Sequence, residues 1–319
     1  MQLSTTSQAR WKVVLAFALV YVFWGSTYLA IRIAVEEVPP ALMAGTRFLI
    51  AGTLMLAYCA LRGKRVRLTA SEAVRLTVIG FLLLTTSNVV LAWAEQWVPT
   101  GLAALLISIT PIWFLVLETF VFPGEHRVSP RALMGIALGI AGIVVLIWPE
   151  LTHTSSIGHA QLIGSFVLLG ASVSWATGSV LSKRWKLSVD AFAATGWEMT
   201  FAGTINVLVG LAFGDQHRAV WSHRGLGAII YLVIFGSWAG FTAYVWLLEH
   251  VPTTKVTTYA YVNPVVAVFL GWLVLDERIT GFILAGTVII VAAVAIVTGA
   301  ELKARNQEEA VLPVESTGD

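Results

Sequence analysis

Six places in this chain put hydrogen-bonding or ring chemistry in the middle of long apolar runs: Trp24, Asn88, Thr110–Pro111, Trp175, Trp238 and Asn263–Pro264. A proline inside a helix removes a donor and frees the carbonyl four residues earlier, here at Ile107 and Ala260. In lipid a freed carbonyl is costly unless it faces protein or a water-filled cavity. The expectation is that these carbonyls, with Asn88 and Asn263, face a polar small molecule. Trp24, Trp113, Trp175, Trp238, Tyr244, Tyr259 and Tyr261 would wall the same space, because ring faces hold an aromatic side chain or a cation. The competing reading is that Pro111 and Pro264 only kink packed helices and the rings only fill core.

Charge is the second chemical signal, since a charged residue at a membrane-helix centre costs about 2.5–3.5 kcal/mol. Arg32, Arg47 and Glu95 are expected together near one membrane face, and Lys183, Glu198 and Glu249 near the other, Glu249 one residue out of register. Two triads of mixed sign could pair when their mouth is closed and part when it opens. Against this, long side chains near helix ends also reach water with no gating role. The remaining tryptophans, Trp11, Trp97, Trp148, Trp185 and Trp221, fall at the ends of apolar runs, where headgroup-depth anchors belong.

The elements that position these residues follow from a duplication. VPTGLAALLISITPIWFLVLETFVFPGE and VPTTKVTTYAYVNPVVAVFLGWLVLDE share one frame, with Pro99 and Pro111 answering Pro252 and Pro264. Trp24 and Arg32 answer Trp175 and Lys183, and GTRFLIAGT answers GWEMTFAGT. With 57% hydrophobic and 12% charged residues, the chain departs from the roughly 45–50% and 25% of soluble domains. This composition predicts an all-α, polytopic membrane protein, since only helices or closed barrels satisfy the backbone in lipid.

Apolar runs near 20 residues place ten spans, at 12–36, 41–62, 71–97, 100–121, 131–148, 161–184, 192–213, 225–249, 252–274 and 279–298. Residues 12–148 and 161–298 are the two repeats, with tails at 1–11 and 299–319. The first apolar run is read as a span and not as a signal peptide, because it is long and lacks a small-residue cleavage pattern. Residues 301–319 are polar and are expected to be unstructured. Lys and Arg gather in the loops that share a side with both termini, which predicts cytoplasmic termini. Five spans per repeat is an odd number, so the second repeat enters the membrane inverted, the usual plan of a transporter with its site at the midplane.

On WGSTYLAIRIAVEEVPPALMAGTRFLIAGT and YVNPVVAVFLGWLVLDE, the chain resembles the EamA family of the drug/metabolite transporter superfamily, and bacterial inner-membrane exporters related to aromatic amino acid exporters in particular. The resemblance implies ten helices in two inverted five-helix halves and efflux of a small metabolite. The expected substrates are amino acids, aromatic or otherwise neutral, or related metabolites, moved by rocking of the two halves. Nucleosides or other metabolites, with or without proton coupling, are the alternative substrates, and a sensor without flux is the alternative class. Glu118 could carry a proton, but Gly271 holds its repeat-equivalent place, which favours facilitated transport or exchange. Histidines fall in loops or at span ends, and neither a zinc-protease motif nor a nucleotide-binding glycine loop occurs, so no enzyme, metal or cofactor is expected. The expected partners are the lipid bilayer and a small molecule, not nucleic acid, for a monomer or homodimer. Gly135, Gly139, Gly142, Gly281 and Gly286 are expected to pack helices as scaffold or dimer face.

Overall fold

The computed structural model describes residues 3–117, 130–152, 156–185, 187–251, 256 and 258–311. Ten helical rods emerge among them: α1 (Leu3–Val35), α2 (Pro40–Leu61), α3 (Ala70–Ala94), α4 (Thr100–Val116), α5 (Pro130–Thr152), α6 (Ser156–Arg184), α7 (Ala191–Ala212), α8 (223–250), α9 (Tyr259–Leu275) and α10 (Gly281–Val311). Seven are long and apolar enough to cross a membrane unaided, and α4 and α9 are shorter apolar helices. The protein is all-helical and polytopic.

The stretch expected to be unstructured is helical over its described part, and the first helix starts ahead of the first expected span. α1 begins at Leu3, and α10 continues to Val311. The continuation follows from AELKARNQEEAV, a run of mostly strong helix formers with no proline or glycine; polarity takes the helix out of lipid but does not end it.

The duplication is visible as packing. α2 and α7, the second helices of the two repeats, lie antiparallel and interlock through glycines. A Cβ on Gly45 would meet Val207, and one on Gly196 would meet Leu56; a Cβ on Gly52 would meet Thr200, and one on Gly203 would meet Leu49. Each contact is the repeat-equivalent of its neighbour. The last helices do the same: Gly135 meets Val297 on α10, and Gly286 meets Leu146 on α5. A two-fold axis therefore runs through both pairs, and antiparallel packing of equivalent helices is what an inverted repeat requires. Without a hydrophobic driving force between helices in lipid, small residues that admit close approach hold such pairs together.

The remaining six helices are exchanged between the repeats. α1 packs on α8 and α9 of the second repeat, and α6 packs on α3 and α4 of the first. The moving units suggested by this packing are accordingly two mixed three-helix bundles, in place of the two sequence halves expected above. Their main mutual contacts among the described residues run from Thr100–Ile107 to α9, and from α1 to Thr100–Ile107 and Asn88–Ala94. All lie at the face opposite the N-terminus, and that face is closed.

Each face also carries a loop latch. At the N-terminal face, Ser188 N donates to Glu72 (2.9 Å), Trp197 Nε1 donates to Val66 O (2.9 Å), and Lys64 Nζ lies 3.0 Å from Asp190 Oδ2. Burial pushes the Asp190 carboxyl up, but Lys64 and the amides of Phe192 and Ala193 outweigh it and hold it below the usual range. At the opposite face, Glu37 accepts from Ser222 Oγ and from Gly225 N, capping the start of α8. Glu37 and Ser188 are repeat-equivalent, as are Gly225 and Glu72, so the carboxylate has changed sides while the bond has stayed. Both latches are closed in one conformation, so they fasten loops and do not gate.

Candidate functional site

Two helices change pitch at the midplane, and the reason is hydrogen bonding. α3 widens into a π segment at Phe81–Thr85 and α8 at Leu232–Ala239, which spans the repeat-equivalent positions 234–238. Wide turns of this kind are frequent at functional sites and displace carbonyls from the regular ladder. Polar side chains collect on those carbonyls: Thr86 Oγ1 on Phe81 O and Leu82 O, Ser174 Oγ on Leu82 O (2.8 Å), and Asn88 Nδ2 on Leu83 O (3.1 Å). In α8 the Trp24 indole N–H donates to Gly236 O at 3.2 Å.

Of the seven rings predicted to form one wall, three come together. Trp24 has ring centroids of Tyr244 at 5.0 Å and Tyr259 at 5.1 Å, the latter edge-on, and Phe241 completes the cluster at 5.2 Å. Tyr21 and Thr258 close its base with a 2.6 Å hydroxyl bond. Phe241, absent from the sequence reading, sits three residues before Tyr244, the i, i+3 spacing that could have revealed it. The other rings go elsewhere. Trp238 donates to Ala51 O (3.2 Å) and meets Tyr58 and Phe192 edge-on. Trp113 donates to Ser172 Oγ (2.8 Å), Trp175 packs on the main core, and Tyr261 donates to Val294 O on α10 (3.2 Å).

The proline carbonyls fare differently from expectation. α4 breaks after Ile107 and restarts at Thr110 with Pro111 in its first turn. The Ile107 carbonyl that Pro111 frees accepts from Thr110 Oγ1 at 2.6 Å, so the chain itself occupies it. α9 passes through Pro264 unbroken. Buried Asn263, with its amide nitrogen turned to the acceptors, donates to Tyr259 O and Tyr21 O, both at 3.3 Å, joining α9 to α1.

The charged triads also divide. Arg32 donates to the Glu95 main-chain oxygen and lies 3.9 Å from Glu36. The Glu95 side chain is fully buried, and neither carboxylate oxygen has a hydrogen-bond partner. Arg47 makes no ion pair among the described residues; its Nε donates to Ser237 Oγ at 3.2 Å. At the other face Lys183 is exposed and Glu198 is buried; the Glu249 side chain and Glu118 lie outside the described residues.

Glu277 was missed from sequence. Pro99 cannot cap α4 with a side chain, and the Glu277 carboxylate takes that role, accepting from Thr100 N (2.7 Å) and Gly101 N (3.3 Å). It therefore joins the end of α9 to the start of α4 at the closed face, with the anion on a positive helix terminus. Asp276, at φ 54°, supplies the left-handed turn that folds Glu277 back. The signal was the glutamate ending both proline cassettes, at Glu125 and Glu277; Glu125 lies outside the described residues.

Comparison with known proteins agrees with this architecture. The profile of the EamA-like transporter family matches residues 11–148 and 162–299, once per repeat. The chain is 38% identical over 285 residues to the Escherichia coli K12 protein described as an uncharacterized inner membrane transporter, YedA, covering 88% of this chain and 89% of that one. It is 27% identical to a probable amino-acid metabolite efflux pump of Salmonella typhimurium LT2, covering 87% and 92%. A solved crystal structure superposes with a TM-score of 0.64 at 22% identity, over 92% of this chain and 98% of that one, a likeness of fold. Matched in both repeats by one profile, and built as an inverted helical pair, the chain belongs to the EamA-like transporter family.

Proposed function

We propose that this protein exports amino acids, aromatic or other neutral ones, or closely related small metabolites across the bacterial inner membrane by alternating access. The observation that carries the reading is the exchange of helices around the two-fold axis. It leaves two bundles, α1–α8–α9 and α3–α4–α6, whose mutual contacts among the described residues gather at one face, with the ring cluster of Trp24, Phe241, Tyr244 and Tyr259 in the first bundle towards the other face. Rocking of such bundles about a midplane site exposes it to each side in turn. With both termini in the cytoplasm, the closed face is external and the site is reached from inside, the side from which an exporter loads.

Substrate class is supported by the ring cluster and by a relative whose description names amino-acid metabolites. The test is counterflow of radiolabelled phenylalanine, threonine and uridine in proteoliposomes of purified protein, with and without an imposed pH gradient. Saturable amino-acid flux indifferent to the gradient is expected. Uridine flux alone would replace the substrate class, and binding without flux of any of the three would contradict transport.

A further inference from the structure

Arg47 is a buried cation with no ion-pair partner among the described residues. It sits on α2, is 5% exposed, and is enclosed by α1 and α8: a Cβ on Gly236 would come closer than van der Waals contact to both Thr27 and the Arg47 Nη2, at 2.9 and 3.0 Å. A guanidinium offers five N–H donors. One of them, Nε, reaches Ser237 Oγ, and the cation lies 4.7 Å from the Phe48 ring centroid. Among the described residues the terminal nitrogens bond nothing and no carboxylate lies within ion-pair distance. Glu95, its expected partner, is instead beside Arg32.

Leaving a buried cation uncompensated is strongly unfavourable, and proteins pair such charges or give them a ligand. The surroundings are those of a built site. Ser237 and Gly236 belong to the π segment of α8, Thr27 lies one turn from Trp24 on α1, and the Trp24 indole bonds the carbonyl of the same Gly236. Gly236 of α8 thus lies between the two, beside the guanidinium on one side and bonded through its carbonyl to the Trp24 indole of the ring cluster on the other. A planar fork of donors fits a carboxylate better than any neutral group.

We infer that Arg47 is the anchor for a carboxylate on the transported molecule, held with help from Ser237 while the ligand's apolar part lies towards the ring cluster. This rests on the transport reading above and narrows its substrates to small carboxylates, with amides, esters and nucleosides excluded. It also assigns Arg47 a role apart from the mouth charges with which the sequence grouped it.

The test is equilibrium binding to the full-length detergent-purified protein, with L-phenylalanine and L-threonine against L-phenylalaninamide and L-threoninamide, in wild type, Arg47→Lys and Arg47→Gln. Wild type should prefer acid to amide about tenfold or more, the scale of a charge-assisted hydrogen bond. Arg47→Gln should erase that preference, and Arg47→Lys should keep part of it. Wild type alone can refute the proposal: binding the amide as tightly as the acid, or binding neither acid, overturns it whatever the variants' folding. A monodisperse Arg47→Gln that keeps the preference overturns it too. Acid-selective binding with no counterflow would sink the transport reading and leave the anchor standing; uridine flux unchanged in Arg47→Gln would do the reverse.

Discussion

Single side chains in this protein are chosen by what lipid does to unpaired polar atoms. Thr110 on Ile107 O and Trp24 on Gly236 O each occupy a carbonyl that a proline or a wide turn displaces, and Asn263 donates to Tyr259 O and Tyr21 O to tie α9 to α1. Trp24 has a second task, since its rings meet three others edge-on or tilted, and such pairs are each worth about 0.5–1.5 kcal/mol beyond burial. Trp24→Ala should therefore raise the half-saturating phenylalanine concentration in counterflow about tenfold, with expression unchanged. Equal half-saturation in the variant would remove the ring cluster from the substrate path. Trp24, Tyr244 and Tyr259 were legible because rings in apolar runs at one depth are countable. The dispersal of Trp113, Trp175, Trp238 and Tyr261 was not, because a residue's depth along its helix says nothing about the azimuth at which its side chain leaves.

At the scale of helices, glycine decides which pairs approach. The chain's own arithmetic supplied the repeat, and the spans at 41–62 and 192–213 are within one residue of α2 and α7. What it withheld was that these two helices pack on each other, since self-similarity gives equivalence and not contact. Gly203 lies so close to the Leu49 backbone that an added methyl has nowhere to go. Gly203→Ala should cost about 1–3 kcal/mol through overpacking. Gly170, inside α6 with open space around its missing Cβ, is the control: Gly170→Ala should be neutral or stabilising by up to about 1 kcal/mol through helix propensity. Thermal unfolding of the two variants in one detergent separates them, and similar melting temperatures would contradict the proposed α2–α7 seam. The break in α4 beside the unbroken α9 shows the same limit. Both have a mid-helix proline, and the difference lies in local bonds, Thr110 on Ile107 in one and Asn263 reaching α1 in the other.

Across the whole molecule, the exchanged bundles meet at one face through two polar ties, Arg32 to the Glu95 carbonyl and Glu277 to the amides of Thr100 and Gly101. The sequence placed Arg32 and Glu95 at this mouth and marked Glu277 only as the end of a repeated cassette, since its position at the mouth depends on the left-handed turn at Asp276. Removing the Glu277 carboxylate uncaps α4 and frees the closed face, while the loop latches at both faces stay fastened. The most direct measurement is pulsed dipolar spectroscopy on two spin-label pairs at exposed positions in reconstituted protein: Trp97 with Arg278 at the closed face, and Arg184 with His250 at the N-terminal face. In Glu277→Ala the first pair should gain a longer distance as the second gains a shorter one, reciprocal movement of two bundles about a fixed centre. Distances that stay unchanged, or that lengthen together at both faces, would contradict alternating access by these bundles.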